Sequence, residues 1–320
     1  MKYIGILSDD IIPYTDSNNV LMKRVATIGT FDGVHRGHRE VIRTLLSEAE
    51  AVGAEPLVVT FRNHPLSVIA PERAPAMLCS PEEKYAAITS TGASCVMLDF
   101  TPQMCALSSS EWLCYLRDNY EVGSIVIGYD NTFGCDGRYL SRQDYLRIAE
   151  VAGLNMITAP EIESLSSSAI RRLIRNGDME QAARMLGRYY TLHGTIVQGN
   201  QLGRTIGVPT ANLQLNHSGL LLPPYGAYVS EILIPGKGRF RGVTNIGMRP
   251  SIDPALRSPL PTVETHILDF DDDIYGAEVA LSLLTHIRDE KKFPSLEALK
   301  NQIAEDIEVA RGYTPLTQFR

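Results

Sequence analysis

The sequence is poor in the features that mark several protein classes. Of its 320 residues only 5 are cysteines, Cys79, Cys95, Cys105, Cys114 and Cys135, an odd number with no Cys-x-x-Cys pair. A disulfide framework or a zinc ribbon is therefore not expected, and a reducing, cytoplasmic setting fits better. No run of about 18 apolar residues occurs, so no transmembrane helix and no membrane partner are expected. Met1 to Asp16 interrupts its apolar residues with Asp9, Asp10 and Pro13, unlike the apolar stretch of a signal peptide. Excess positive charge is also missing: Lys+Arg number 30 against 37 Asp+Glu, a formal net charge of -7. Both halves share the deficit, with 17 basic and 23 acidic residues through Leu186 and 13 and 14 from Gly187 onward. A nucleic-acid partner needs clustered positive charge and is not expected. There is no internal repeat. What is present is a chain 44% hydrophobic and 21% charged, able to fill real cores. At roughly 100–200 residues per domain its length fits two.

The order of apolar runs divides the chain. Val25 to Ile28, Pro56 to Phe61, Cys95 to Leu98, Ser124 to Gly128 and Asn155 to Ala159 read as buried strands. Between them Gly37–Val52, Pro81–Thr89, Ser110–Asn119 and Ser141–Ala152 read as helices, the second opened by Ser80 as N-cap and Pro81. This alternation predicts a parallel α/β sheet covered on both faces, with ligands at the carboxyl ends of its strands. Ser168–Ile174 and Asp178–Leu186 read as two more helices. Beyond Leu186 the strands become short and separated by Gly and Pro: Tyr190–Val197, Gly226–Ile234, Gly242–Ile246, Thr262–Leu268 and Glu278–Leu284. That pattern predicts a small all-β barrel or sandwich. It is closed by an amphipathic helix, Ser295–Arg311, with Leu296, Leu299, Ile303 and Ile307 on one face. Two domains, 1–186 and 187–320, are expected.

Gly29-Thr30-Phe31-Asp32-Gly33-Val34-His35-Arg36-Gly37-His38 lies between the first strand and the first helix. Free N–H groups and the helix dipole favour an anion there. Gly33 and Gly37 let backbone approach a phosphate, and His35 and His38, three apart, can face one side and stabilise charge on a leaving pyrophosphate. Ser166-Ser167-Ser168 with Arg171 is a second candidate cradle, although hydroxyls before a helix also serve simply as caps.

A glycine-rich stretch, Gly199 to Gly207, contains Gly203 and Arg204 and leads into Pro209-Thr210-Ala211-Asn212. Thr210 and Asn212 share a face of an extended segment, and their oxygens suit Mg2+ held with nucleotide phosphates. Glu264 alternates with apolar residues together with Thr262 and His266. The pattern alone leaves open whether it faces solvent or does chemistry.

The pairing of His-x-Gly-His with Ser-Ser-Ser-x-Ile-Arg resembles the nucleotidyltransferase superfamily, with its Rossmann-like sheet. With the remaining motifs, the chain from about Val25 to Arg311 resembles the prokaryotic bifunctional riboflavin kinase/FMN adenylyltransferases, or FAD synthetases. Thr60-Phe61-Arg62-Asn63-His64-Pro65 is similar to that family's T-F-x-x-H-P, and Gly128 to Gly134 to its G-x-(Asp/Asn)-aromatic-x-F-G. Gly203 to Asn212 is similar to G-R-x-x-G-F-P-T-A-N, and Val263 to Gly276 to V-E-x-H-x-x-D-F-x-x-D-x-Y-G.

The resemblance implies phosphorylation of riboflavin to FMN, then adenylyl transfer from ATP giving FAD, with Mg2+. It implies His35, His38, Arg171 and Glu264 as catalytic, Glu264 being the base. Gly29, Phe31, Gly33, Gly37, Ser166, Ser167, Ser168, Gly203, Arg204 and Gly207 fall to nucleotide binding. His64, Asp130, Asn131, Asn245 and Arg288 fall to the flavin, and Thr210 and Asn212 to the metal. Three places depart from the pattern: Val208 stands for the usual Phe, Asn131 for Phe or His, and Cys135-Asp136-Gly137-Arg138 for a basic stretch. Loss of the aromatic face at Asn131 removes a stacking surface for an isoalloxazine ring. Activity in one half alone, a different phosphate substrate for the first half, and flavin binding with weakened catalysis stay open as alternatives, as does a homo-oligomer.

Overall fold

The computed structural model describes residues 24–129, 131–162, 165–199, 207–248 and 261–317. Among the residues singled out above, Asp130, Gly203 and Arg204 lie outside the described residues, as does the segment Met1 to Asp16.

The β-branched runs of the first half form a five-stranded parallel sheet. Its strands are β1 (Arg24–Ile28), β2 (Glu55–Phe61), β3 (Ser94–Leu98), β4 (Val122–Ile127) and β5 (Asn155–Thr158), in the order β3-β2-β1-β4-β5. Alternate side chains fill two cores, as a sheet covered on both faces requires. Ala26, Ile28, Val59 and Phe61 pack with Trp112, Leu113 and Tyr145 on one side. Val25, Val58 and Val126 pack with Ile42, Leu45 and Ile88 on the other. The covering helices are α1 (Arg36–Val52), α2 (Leu66–Ile69), α3 (Pro81–Thr89), α4 (Pro102–Cys105), α5 (Ser109–Tyr120) and α6 (Arg142–Val151). Ser80, Ser108 and Ser141 open α3, α5 and α6 with reciprocal capping boxes, which fix where each helix starts. The strand order reverses between β1 and β4, and the loops leaving those two strands border the crevice where such sheets bind ligands.

The second half closes into a barrel, so of the two all-β forms the sequence allowed, the barrel is the one adopted. Its strands are β6 (Tyr190–Val197), β7 (Ala211–Leu215), β8 (Gly226–Ile234), β9 (Gly238–Met248), β10 (Pro261–Ile267) and β11 (Glu278–Asp289). They pair antiparallel in the closed order β10-β7-β6-β11-β8-β9. The extended segment that carries Thr210 and Asn212 runs into β7, whose five residues with two polar side chains carry little strand signal. Sequence reading ended the last strand at Leu284. β11 continues to Asp289 through register shifts between Leu283 and Thr285 and between His286 and Arg288, which break the alternation. The C-terminal helix α9 (Leu296–Gly312) lies outside the barrel, where Ala310 and Ile307 meet Val229, Val243 and Leu284.

The apolar core does not divide where the strand pattern does. Helices α7 (Ser167–Arg175) and α8 (Met179–Leu186) put Ile170, Ile174, Met179, Ala182 and Leu186 into one cluster with Leu192, Ile196, Leu281 and Leu283 of the barrel. Leu78, from the loop before α3, belongs to the same cluster. Next to it Met77 donates its N–H to Gly219 O (2.8 Å) and accepts from Leu221 N (2.8 Å), a one-rung parallel bridge between the halves. Truncating Leu186, which is fully buried at this junction, to alanine is expected to cost about 2–5 kcal/mol, seen as a lower midpoint in urea unfolding followed by circular dichroism.

Candidate functional sites

The loop from β1 to α1 is tightly wound. Phe31 (φ 46), Gly33 (φ 80) and Val34 (φ 40) all adopt left-handed backbone. For Phe and Val that conformation is strained, on the order of 1–3 kcal/mol per residue, and persists only where the surroundings impose it. Here they do, since Phe31, Asp32 and Val34 are all buried. The outward carbonyls are individually held: Thr30 O by Lys84 Nζ (3.0 Å) and Thr60 Oγ1 (3.1 Å), Asp32 O by Ser167 Oγ (3.1 Å), and Gly33 O by Arg188 Nη2 (3.2 Å).

His35 is the N-cap of α1; its Nδ1 accepts from His38 N at 3.3 Å. The two imidazoles stack with centroids 3.6 Å apart and planes 16° from parallel, and Phe31 lies against His38 at 5.1 Å. His38 Nδ1 is buried and has no hydrogen-bond partner. Gly37 is required by this stack, since a Cβ there would stand 2.8 Å from Leu165 Cδ2 and 3.1 Å from the His35 ring. Gly29 likewise leaves room for the Phe31 ring, 3.2 Å from where its Cβ would stand. Burial, then the Arg171 charge, lowers the His35 pKa to about 4. Burial, then His35, holds His38 well below the usual imidazole range. Both rings are thus neutral at pH 7, stacked over the first turn of a helix, where N–H groups lack intrahelical acceptors.

Behind the turn sits Asp32. Its carboxylate accepts from Leu78 N (2.9 and 3.2 Å) and pairs with Arg171 Nη2. Burial pushes the Asp32 pKa up against the opposing pull of Arg171, and burial pushes Arg171 down. Arg171 Nε donates to Ala76 O at 2.8 Å. Arg171 is expected to grip phosphate; in the structure its Nε–Nη2 edge, one of the two bidentate edges of a guanidinium, is given to Ala76 O and Asp32. Lys84 is buried beside them, donating to Thr30 O and, at 2.6 Å, to Phe61 O.

The three serines separate in role. Ser166 caps α7 by accepting from Ala169 N (3.1 Å), Ser167 holds the Asp32 carbonyl, and Ser168 is exposed. The α7 N-terminus thus meets the loop that leads into α1. His64 Nδ1 accepts from Leu66 N (3.1 Å) at the start of α2, and burial, then Arg171 and Lys84, lowers its pKa to about 4. Asn131 reaches back to β1, donating from Nδ2 to Ile28 O at 2.6 Å. The departure from an aromatic there thus yields a tie across the crevice between β4 and β1.

The barrel gathers the other group. Val263, Thr265 and Ile267 of β10 point inward and are buried; Thr262, Glu264 and His266 face outward. In the ladder Glu264 pairs with Asn212 of β7 on one side and Asn245 of β9 on the other. Directly opposed residues share a face, so the three side chains form one row on the outer surface. His266 Nδ1 lies 2.8 Å from Pro209 O, which ties the Pro209–Asn212 segment to β10 and sets Thr210 just before β7. A Cβ on Gly199 would stand 2.3 Å from the Asn212 amide. Gly207 adopts a left-handed conformation (φ 80) in the open before this segment. Arg288 is placed otherwise than expected. Its Nε and Nη2 bind Asp306 of α9 (2.8–3.1 Å) and it lies over the Phe293 ring, so it fastens α9 to β11.

Sequence reading passed over Asp32, Lys84 and Arg188. Asp32 and Lys84 carried a signal: Asp32 sits between apolar Phe31 and Val34, and Lys84 lies four residues before Ile88 on the buried face of α3. Arg188 carried none, because its partner is a carbonyl 155 residues away.

A family model described as FAD synthetase matches residues 17–170 and one described as riboflavin kinase matches residues 186–314. A bifunctional riboflavin kinase/FMN adenylyltransferase of Bacillus subtilis is 34% identical over 295 residues, covering 91% of this chain and 92% of that one. One from Escherichia coli K12 is 34% identical over 304 residues, covering 92% and 94%. A crystal structure described as a macrolide-efflux protein from Streptococcus pneumoniae aligns with TM-score 0.82 and 30% identity over 92% of this chain and 95% of that one.

The neutral histidines set the acid limit of the first site. A pKa lowered from 6.5 to about 4 means that the unfolded chain binds more protons between those values. His35 therefore contributes stability at pH 7 that is lost as pH falls from about 6.5 toward 4, up to roughly 3 kcal/mol. His35→Asn keeps a capping side chain and removes the titration. The variant is expected to lose less of its thermal midpoint than the wild type between pH 7 and pH 4.5.

Proposed function

The chain belongs to the bifunctional riboflavin kinase/FMN adenylyltransferase family, and from this we propose that the barrel phosphorylates riboflavin to FMN while the parallel sheet adenylylates FMN to FAD, with the residues acting as follows. In the kinase step a ribityl hydroxyl attacks the γ-phosphorus of ATP and ADP leaves. A hydroxyl is barely ionised at neutral pH, so a base positioned for its proton lowers the barrier. Glu264 takes that role; Asn245 orients the flavin from the next strand, and Gly203, Arg204 and Gly207 meet the nucleotide. Thr210 and Asn212 offer a hydroxyl and an amide oxygen beside the Glu264 carboxylate. That hard, all-oxygen set fits Mg2+, which Thr210 and Asn212 would hold. The ion would neutralise the phosphates in flight.

In the adenylyl step the FMN phosphate attacks the α-phosphorus of ATP and pyrophosphate departs. With a second pKa of about 6 that phosphate is already largely dianionic. The task is orientation and charge neutralisation, not proton removal. Neutral His35 and His38 serve as N–H donors, joined by the first-turn N–H groups of α1 and α7 and the Ser168 hydroxyl. Gly29, Phe31, Gly33 and Gly37 shape the loop, Ser166 and Ser167 hold its partner helix, and Arg171 acts from behind it. His64, Asp130 and Asn131 border the flavin, at the crevice between β1 and β4.

The observation that carries this reading is the two-site arrangement: a helix-terminus anion site with stacked imidazoles, and a separate carboxylate–amide row on the barrel. We place the activity in the cytoplasm, in keeping with five free cysteines, and expect no nucleic-acid partner for so acidic a chain. Macrolide efflux has no observation in its favour; no helix among the described residues is long and apolar enough to cross a membrane.

Incubation of the protein with riboflavin and Mg·ATP, with products resolved by chromatography, is expected to give FMN and FAD. Glu264→Ala is expected to abolish FMN formation while leaving FAD formation from supplied FMN. His38→Ala is expected to do the reverse. Loss of both steps, FMN formation from riboflavin and FAD formation from supplied FMN, in either folded variant would overturn the division of labour.

A further inference from the structure

We propose that Asp32, a residue placed to touch neither substrate, is a positioning residue for adenylyl transfer and holds the catalytic histidines in register through its pair with Arg171. The inference rests on the first site being the adenylyl site. Asp32 stands in the middle of the strained loop, between left-handed Phe31 and left-handed Gly33 and Val34. It is 1% exposed, so it is sealed from the crevice it supports. Its carboxylate gathers three separate segments: its own loop, the 76–79 strap through Leu78 N, and α7 through Arg171, whose Nε reaches the strap again at Ala76 O. Ser167, one turn before Arg171, closes a second path from α7 to the Asp32 carbonyl. One carboxylate therefore sets the distance between the two helix N-termini that face the phosphates.

Three of these connections are hydrogen bonds to backbone, which fixes main-chain positions and not merely side chains. His35 follows Asp32 by three residues and begins α1, so a displaced loop carries the imidazole stack with it. A buried pair of this kind is costly to break, because the survivor is left charged and without a partner in a dry site. Replacement of Asp32 by asparagine preserves shape and the acceptor for Leu78 N but turns an N–H2 or a neutral oxygen toward the Arg171 guanidinium. The loop then loses the attraction that offsets its backbone strain, and the stacked imidazoles shift relative to the α7 N-terminus. Misplacement of catalytic groups by about 1 Å costs on the order of 100-fold in rate.

The test compares Asp32→Asn, Arg171→Met and the double variant with wild type in the full-length protein. FMN formation from riboflavin reports an intact barrel, and FMN and Mg·ATP binding stoichiometries equal to those of wild type, together with an unchanged circular dichroism spectrum, report a folded first half. The expected result is a fall in kcat for FAD formation from FMN on the order of 100-fold in each single variant, with KM for FMN within about threefold. The double variant should be no worse than the poorer single one, since both remove the same link. A kcat within threefold of wild type in fully folded Asp32→Asn overturns the proposal. So does a loss that merely follows a reduced number of binding sites, or full adenylyl transfer in Arg171→Met alongside its loss in Asp32→Asn. If wild type itself made no FAD, the reading of the site would fail instead.

Discussion

The pairing of Asp32 with Arg171 is the constraint on which the first half depends. Two charges removed from water repel the interior unless each is compensated, and here compensation is nearly complete: the carboxylate takes Leu78 N and the guanidinium, which in turn gives its Nε to Ala76 O. A loop with two non-glycine residues at positive φ would relax if left to itself. It is held because its one charged member is bound from behind by elements packed elsewhere. The stacked neutral imidazoles, the α1 N-terminus and the meeting with α7 are arranged around that anchor.

The two sites answer opposite chemical demands with different architecture. In the proposed reading, a phosphate nucleophile needs no base but brings negative charge, and it is met by backbone N–H groups, uncharged imidazoles and helix dipoles at the end of a parallel sheet. A ribityl hydroxyl needs a base and brings none of that charge, and the proposed base is a carboxylate on the outer strand face flanked by amides. The buried cations Lys84 and Arg171 shape the loop from within.

Much of this was legible in the sequence, because short apolar runs between turns and helices with serine caps announce themselves locally. The five parallel strands, the capped α3, β6 and β8 followed from such patterns. The row of Asn212, Glu264 and Asn245 was legible as three residues but not as a row; register is a property of strand pairing across 19 to 52 residues, which no local pattern encodes. Arg171 and Arg288 were read as ligand-facing because an arginine in a motif invites that reading. Both turned inward to carboxylates, Asp32 and Asp306, that lie 139 and 18 residues away. The shared core of α7, α8 and the barrel stayed hidden for the same reason: the change in strand pattern at Leu186 marks a change of secondary structure, not of packing partner.

The outward placement of the Asn212–Glu264–Asn245 row has a consequence for how such a protein can vary. Its backs, Leu213, Val263 and Ile246, fill the barrel, so interior volume and surface chemistry are written on opposite faces of the same strands. Descendants of this barrel can exchange core side chains, gaining or losing heat tolerance, without disturbing the phosphorylation face. They can equally retune that face for another alcohol while the interior stands. With Asp32 as the proposed positioning residue, the sheet half has no such freedom: the same buried carboxylate then serves the interior and the chemistry at once, and adaptation of one must carry the other with it.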